Sequence, residues 1–195
     1  MPTARTVHAA SAAGGLFARC HAAGLQLEAL RALLLVAAAR REGGHPEAAV
    51  PYALSALTQS RAKGFGALEA ECHVFLAELW LGFGPTCAPL AQSHLAQCLR
   101  SVLSDAHAEL RARALMAAAR AALWEARADG RAPEPRVLSM LEGAAQAWEA
   151  LQAHGRAAEA HRLRALAFNE AGDAARRDAA AACFRRDAAR AAAAR

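Results

Sequence analysis

The sequence predicts an all-α fold, an α-solenoid of about four stacked antiparallel helical hairpins. Alanine makes up about three residues in ten, and alanine is the best helix former. Apolar residues recur at steps of three and four and never alternate over the length of a strand. Breaks that mostly carry glycine fall about 20 residues apart, so a pair of helices recurs about every 40 residues, as in helical-repeat arrays.

The segment before the first complete hairpin differs from the rest. Residues 1–15 are poor in large apolar groups and contain no acids. We expect them to be disordered or to mark a fragment boundary. An organellar transit peptide, which also lacks acids, is the alternative. Residues 16–22 have the pattern of the last turns of a helix that Gly24 ends.

The first complete hairpin covers residues 25–61 and turns at Gly43 and Gly44. Pro46 follows the turn, where a helix tolerates proline because the first N–H groups have no intrahelical partner. The second helix has a narrow stripe of small residues, which would let two helix backbones approach closely. The residues predicted to face a neighbouring helix are Leu27, Leu30, Leu33 or Leu34, Ala37 and Ala38 in the first helix, and Ala49, Ala53, Ala56 and Leu57 in the second.

Six further helices follow by the same criteria. Ser104 and Asp105 have the short side-chain oxygens that suit an N-cap for the helix over 106–128. The predicted spans are 67–81, 87–103, 106–128, 136–153, 156–171 and 173 onward, separated by breaks at Gly66, Gly84, Asp105, Gly130, Gly155 and Gly172. We therefore assign residues 16–190 to one helical repeat domain and expect residues 191–195 to fray.

Composition argues against several function classes. The net charge of +5 is mild and its acids and bases are interspersed, so we expect no nucleic-acid partner. No apolar run reaches the length of a membrane span, and we expect no membrane or small-molecule partner. Five cysteines without a signal peptide favour reduced thiols. Arginines of the last helix alternate with Asp173, Asp178 and Asp187, which predicts a solvated face.

Three residues in the predicted helix over 87–103 are of types that can bind a metal ion. Cys87, His94 and Cys98 share a helical face, but the two cysteines would lie roughly 16 Å apart along the helix. One zinc ion needs every ligand within about 2.3 Å, so these residues do not form a site by themselves. The sequence has no nucleophile elbow and no phosphate-binding glycine loop. We therefore predict no catalytic residue, no cofactor and no metal ligand.

The hairpins resemble tetratricopeptide repeats in a degenerate and lengthened form. Arg40 stands where that pattern has a tyrosine, and the repeat exceeds the usual length of about 34 residues. Six small or apolar residues occupy the first-helix and second-helix positions of the pattern, namely Leu33, Val36, Ala37, Ala49, Ala53 and Ala56.

Three segments are similar to the C-terminal repeats of the subunit 5 family of the anaphase-promoting complex. They are AAVPYALSALTQS at 48–60, FLAELWLG at 75–82 and RLRALAFNEAGDAARRDAAAACFRRDAAR at 162–190. With the order of the helices, the resemblance covers about residues 16–190. It implies the tail of a longer subunit that has no active site of its own.

The resemblance also implies a role. Members of that family are scaffolds in the platform of a cell-cycle ubiquitin ligase of the cullin and RING type, where they hold neighbouring subunits such as the large first subunit and the fourth. The resemblance implies a location in nucleus and cytoplasm. The concave surface, lined mainly by the first helix of each hairpin, would make these contacts. The alternative is a generic tetratricopeptide-like module that binds a short peptide, in an organelle if residues 1–15 are a transit peptide.

Overall fold

The structure, a computed structural model, describes residues 4–105 and 107–194. Within them the chain forms nine α-helices, a short 3-10 turn at Pro85–Cys87 and no strand. The predicted all-α solenoid is therefore confirmed. The helices are α1 (Ala4–Ala22), α2 (Gln26–Glu42), α3 (Pro46–Ala62), α4 (Gly66–Phe83), α5 (Ala88–Asp105), α6 (Ala108–Ala128), α7 (Pro135–Ala150), α8 (His154–Glu170) and α9 (Ala174–Ala193).

Each helix packs against its neighbours in sequence, which makes a continuous array of helical hairpins. The even-numbered helices also meet one another, α2 with α4, α4 with α6 and α6 with α8. Among the described residues, the odd-numbered helices make no such second-neighbour contacts. The even-numbered layer is therefore the compressed, concave side of the array, and the odd-numbered layer is the convex side.

The hydrophobic core runs through the array in overlapping sections. Leu30, Leu76 and Leu79 belong to a section shared by α2, α3 and α4, whereas Val102 lies in the section of α4, α5 and α6. Leu141 belongs to the next section, formed by α6, α7 and α8. Because α4 and α6 each contribute to two sections, the hairpins cannot separate without exposing core.

Small residues make the tight contacts that the sequence predicts. Ala49, Ala53 and Ala56 of α3 are completely buried, and so is Ala37 of α2. A methyl group removes little area from water, so the benefit of these alanines is the close approach that they allow between neighbouring backbones.

The turn between α2 and α3 shows why glycine marks the breaks. Gly44 adopts a φ of 82°, in the left-handed region that other residues avoid. This conformation lets the His45 N–H donate to the Arg40 carbonyl at 3.0 Å, which closes the helix end. The predicted break at Gly44 is confirmed.

Two predicted helix boundaries are wrong. Helix α5 continues through Asp105, and His107 caps α6 because its Nδ1 accepts a hydrogen bond from the Leu110 N–H at 3.2 Å. Ala106, the predicted first residue of that helix, lies outside the described residues. Gly155 lies inside α8, and the break comes three residues earlier at Gln152, whose φ is 58°.

Both chain ends are more helical than the sequence analysis expects. Helix α1 begins at Ala4, and the expectation that residues 1–15 are disordered or mark a fragment boundary stays a prediction, as does the transit-peptide alternative. Helix α9 continues to Ala193, so residues 191–193 do not leave the helix. Among the residues that the structure describes, none of the helices combines the length and apolar character that a bilayer crossing needs.

Candidate protein-binding groove

A groove of about 750 Å³ runs along the concave side of the solenoid. Helices α2, α4 and α6 form its floor, and the α7–α8 turn closes one end. Its lining residues are Arg31, Leu34, Leu35, Ala38, Arg41, Glu71, Phe75, Glu78, Glu109, Arg113, Trp148, Leu151, Ala153 and Arg156. The even-numbered helices thus bring together residues that are up to about 125 positions apart in the chain.

Helical periodicity explains which side chains face the groove. On α4, Glu71, Phe75 and Glu78 follow one another at steps of four and three, which places them on one face. On α6, Glu109 and Arg113 have the same relation. Leu34 and Phe75 line the groove and also belong to the hydrophobic core, so the core section of α2, α3 and α4 extends to the floor of the groove.

A charged triad lies at the centre of the groove. The Glu78 carboxylate accepts two hydrogen bonds from Arg113, from Nε and Nη2 at 2.8 Å each, and one from Arg41 Nη1 at 3.1 Å. Between 20% and 29% of each of the three side chains is exposed. Desolvation raises the pKa of Glu78, but the hydrogen bonds and charges of Arg113 and Arg41 outweigh it and hold that pKa below 4.5.

Apolar surface flanks the triad. The Arg41 guanidinium lies 4.7 Å from the centroid of the Phe75 ring, which fixes its orientation. Leu35 and Leu151 are 54% and 44% exposed and line the same groove. An exposed leucine beside fixed arginines is a surface that another protein can cover.

The groove continues past the triad into a hollow of about 390 Å³. Met116, Arg120 and Glu159 line this extension together with residues of the triad. The lining residues of both parts include no serine, cysteine, histidine, lysine or tyrosine. The groove offers both charge and apolar area to a binding partner.

The three residues of the rejected zinc pattern lie away from the groove. Cys87 is in the 3-10 turn, and His94 Nδ1 is 3.0 Å from His73 Nδ1. Cys98 is almost completely buried, and this desolvation raises the pKa of its thiol to about 11. Burial likewise raises the pKa of Cys72 to about 12, so both thiols are protonated packing groups at neutral pH.

Sequence reasoning missed one group of polar residues. Asp187, expected on a solvated face, is completely buried, and the prediction for this residue is wrong. The structure brings it together with Glu149 and His161, whose side-chain ligand atoms lie within 4.8 Å of one another. No local signal could have found this group, because its members come from α7, α8 and α9.

Comparisons with known proteins give one informative similarity. No protein-family model matches the chain. Over 178 residues the chain is 33% identical to anaphase-promoting complex subunit 5 of Arabidopsis thaliana, a match that covers 91% of this chain and 19% of that subunit. The chain thus spans about a fifth of the length of this relative and is similar to one region of it.

A solved structure, BtubC (BKLC) from P. vanneervenii, is also similar. The match covers 98% of this chain and 92% of BtubC, with a TM-score of 0.45 and 17% sequence identity. A similarity of this size supports no conclusion about function.

Proposed function

We propose that this chain is a non-catalytic scaffold segment that holds protein subunits together, in the manner of one region of anaphase-promoting complex subunit 5. The observation that carries the proposal is the 33% identity over 178 residues to that subunit. The match runs along nearly the whole solenoid, which is the kind of similarity expected when the arrangement of repeats, and not a small site, is what matters.

The concave groove supports a binding role. Its central triad holds two arginines in place, so part of the entropy cost of ordering them on binding has already been met. The exposed Leu35 and Leu151 supply apolar area on either side. A standard interface buries about 1,600 Å² in total, about half of it on each partner, so a folded subunit would have to cover the rims as well as the groove.

In this proposal the partners are other platform subunits of a ubiquitin ligase with cullin-type and RING-type members. The chain would contribute no chemistry to ubiquitin transfer. It would act in nucleus and cytoplasm, where such a ligase meets its substrates during the cell cycle. Residues 16–190 would form the repeat domain that makes the contacts.

Co-purification with a matched pair of variants tests the proposal. The chain is tagged, and the expected result is recovery of the ligase's cullin-type and RING-type subunits. Leu35→Asp in the groove should abolish this recovery, whereas Leu54→Asp should preserve it. Leu54 is the matched control because it is 40% exposed on the convex helix α3.

Two results would contradict the proposal. One is the consistent absence of ligase subunits from the purified material with the tag at either end. The other is recovery of these subunits that Leu35→Asp leaves unchanged, which would remove the groove from the proposal. Circular dichroism of both variants checks that neither substitution unfolds the solenoid.

A generic peptide-binding module is the second candidate, and the groove's size favours it. A groove of about 750 Å³ with fixed arginines could hold a short extended segment. The two candidates differ in what binds. A peptide module would bind a short synthetic peptide of its partner as tightly as the folded partner, whereas a scaffold would lose most of its affinity when the partner is reduced to a peptide.

A further inference from the structure

A second cluster lies at the far end of the solenoid, where the last three helices meet. Glu149 is near the end of α7, His154 and His161 are on α8, and Asp187 is on α9. His161 Nε2 is 3.1 Å from Glu149 Oε1 and 3.7 Å from Asp187 Oδ2, and His154 Nδ1 is 3.5 Å from Asp187 Oδ1. The ligand atoms of Glu149, His161 and Asp187 thus lie within 4.8 Å of one another, and His154 stands beside this group, next to Asp187.

These distances match those of a tetrahedral metal site. Zinc binds imidazole nitrogen and carboxylate oxygen at about 2.0–2.2 Å, which places neighbouring ligand atoms about 3.3–3.5 Å apart. Within the group of Glu149, His161 and Asp187, the separations from His161 Nε2, 3.1 Å to Glu149 and 3.7 Å to Asp187, lie on either side of that value. Side-chain adjustment could therefore bring these three ligands to a zinc ion.

Two buried atoms in the cluster have no hydrogen-bond partner. They are Asp187 Oδ1 and His154 Nδ1. The Asp187 side chain is completely buried, and an unsatisfied oxygen there costs free energy. Arg190 Nη1 also faces Asp187 Oδ1, but at 3.6 Å it lies beyond hydrogen-bond distance, and a cation coordinated by Asp187 Oδ1 and His154 Nδ1 would satisfy both atoms.

An arginine side chain occupies part of this position. Arg186 Nη2 donates to Glu149 Oε1 at 2.6 Å and to Asp187 Oδ2 at 2.9 Å, so its charge stands where a metal's charge would be. Its side chain is 45% exposed and can swing into solvent. Arg164, 3.4 Å from His161 Nδ1, has a second partner in Glu142.

We propose that Glu149, His161 and Asp187 bind one divalent transition ion of the zinc class, in exchange for the Arg186 guanidinium, and that His154, which lies beside Asp187 but outside this group, turns to become the fourth ligand. Mixed imidazole and carboxylate ligands favour zinc over calcium or magnesium, which prefer oxygen alone. Four protein ligands leave no open coordination position, so the site is structural.

The composition of α9 indicates what a bound metal would contribute to the stability of this end of the solenoid. Helix α9 lies closely along α8, but its buried residues are Ala180 and Asp187, so large apolar side chains contribute little to this contact. A metal shared by α7, α8 and α9 would attach it firmly and complete this end of the solenoid. The site is independent of the concave groove and of any partner there.

Zinc binding to the chelator-treated full-length chain tests the inference, first by titration calorimetry with ZnCl₂. We expect one zinc ion per chain and a higher melting temperature with zinc. Cobalt substituted for zinc should give the intense visible bands of four-coordinate Co²⁺ without a thiolate-to-cobalt charge-transfer band. Absence of the charge-transfer band would exclude the five cysteines as ligands.

Four variants make the test specific. His161→Ala and Glu149→Gln should each weaken zinc binding by at least about the 10–100-fold that loss of an outer-shell partner costs. Glu149→Gln is the milder change, because the side chain is 34% exposed. Arg186→Met should tighten binding by removing the competing cation. His45→Ala is the matched control, since His45 pairs with Glu47 at the surface, and it should bind zinc like the parent chain.

The inference is overturned if the parent chain and Arg186→Met both fail to bind zinc, because the cluster is then an ion-pair network alone. Thiolate bands in the cobalt spectrum, or equal loss in His45→Ala and Glu149→Gln, would overturn it as well. None of these results would affect the proposed scaffold role, which co-purification tests separately.

Discussion

Replacement of Glu78 by glutamine should destabilise the solenoid by about 3 kcal/mol. The carboxylate accepts three hydrogen bonds from two arginines, and glutamine retains one acceptor oxygen while its amide faces the donors. Hydrogen bonds to charged groups contribute about 1.5–3 kcal/mol each, and breaking a buried ion pair costs about 3–5 kcal/mol. The Arg41 and Arg113 side chains are 29% and 20% exposed, so water can hydrate them in part after the carboxylate is lost. We therefore expect a loss of stability at the lower end of the range for buried ion pairs.

Urea unfolding followed by circular dichroism measures this loss, and a surface ion pair provides the control. Arg162 donates to both oxygens of Glu159 at 2.8 and 2.7 Å, the same two-bond geometry as Arg113 with Glu78. Both partners of the control pair are more than 40% exposed, so Glu159→Gln should cost less than about 1 kcal/mol.

The stability that the Glu78 carboxylate contributes should change with pH in one direction. The pKa of Glu78 is lowered in the folded chain, so the unfolded chain takes up the proton first as pH falls. The stability that the carboxylate contributes is therefore complete above its ordinary pKa of 4.5 and declines as pH falls below that value. Equal losses for Glu78→Gln and Glu159→Gln at neutral pH, or a loss for Glu78→Gln that is as large at pH 3.5 as at neutral pH, would refute the reasoning.

Three further changes test other parts of the fold. Burial lowers the pKa of both His73 and His94, so the free energy of unfolding should fall as pH drops below 6.5; a flat profile between pH 7.5 and 5.5 would contradict this. Asp173→Ala removes the side chain that accepts from the Arg176 N–H, and chemical denaturation should show a loss of about 1 kcal/mol, whereas no loss would mean that the cap is unimportant. Leu141→Ala leaves a cavity in a completely buried position and should cost about 2–5 kcal/mol in the same assay; a loss under 1 kcal/mol would show that the core collapses around it.

The sequence predicts the parts of the fold that depend on local pattern. Ala49, Ala53 and Ala56 follow the helical period and are completely buried as expected, because one period determines which face meets the neighbouring helix. Breaks are predictable where glycine provides the left-handed conformation, as at Gly44. The break at Gln152 was missed because a residue other than glycine adopts that conformation there.

The groove and the polar cluster could not be predicted in the same way. Glu78 meets Arg41 and Arg113, which are 37 and 35 residues away, and these pairs depend on the contact of α4 with α2 and α6. Asp187 has arginines on either side in the sequence, a local pattern typical of a solvated helix. Its burial depends on how α9 packs against α8, and the pattern of one helix carries no information about that contact.

The high alanine content helps to explain both the concave groove and the polar cluster between α7, α8 and α9. Small residues such as Ala77, Ala114 and Ala117 allow the even-numbered helices to approach one another, and this approach curves the array and creates the groove. The same residues bury little apolar area, so an alanine-rich helix needs another source of attachment. Helix α9 is the extreme case, with Ala180 as its one fully buried apolar residue. Ion pairs and a bound metal are attachments that such a helix can use, since they depend on a few well-placed groups and not on the size of the core.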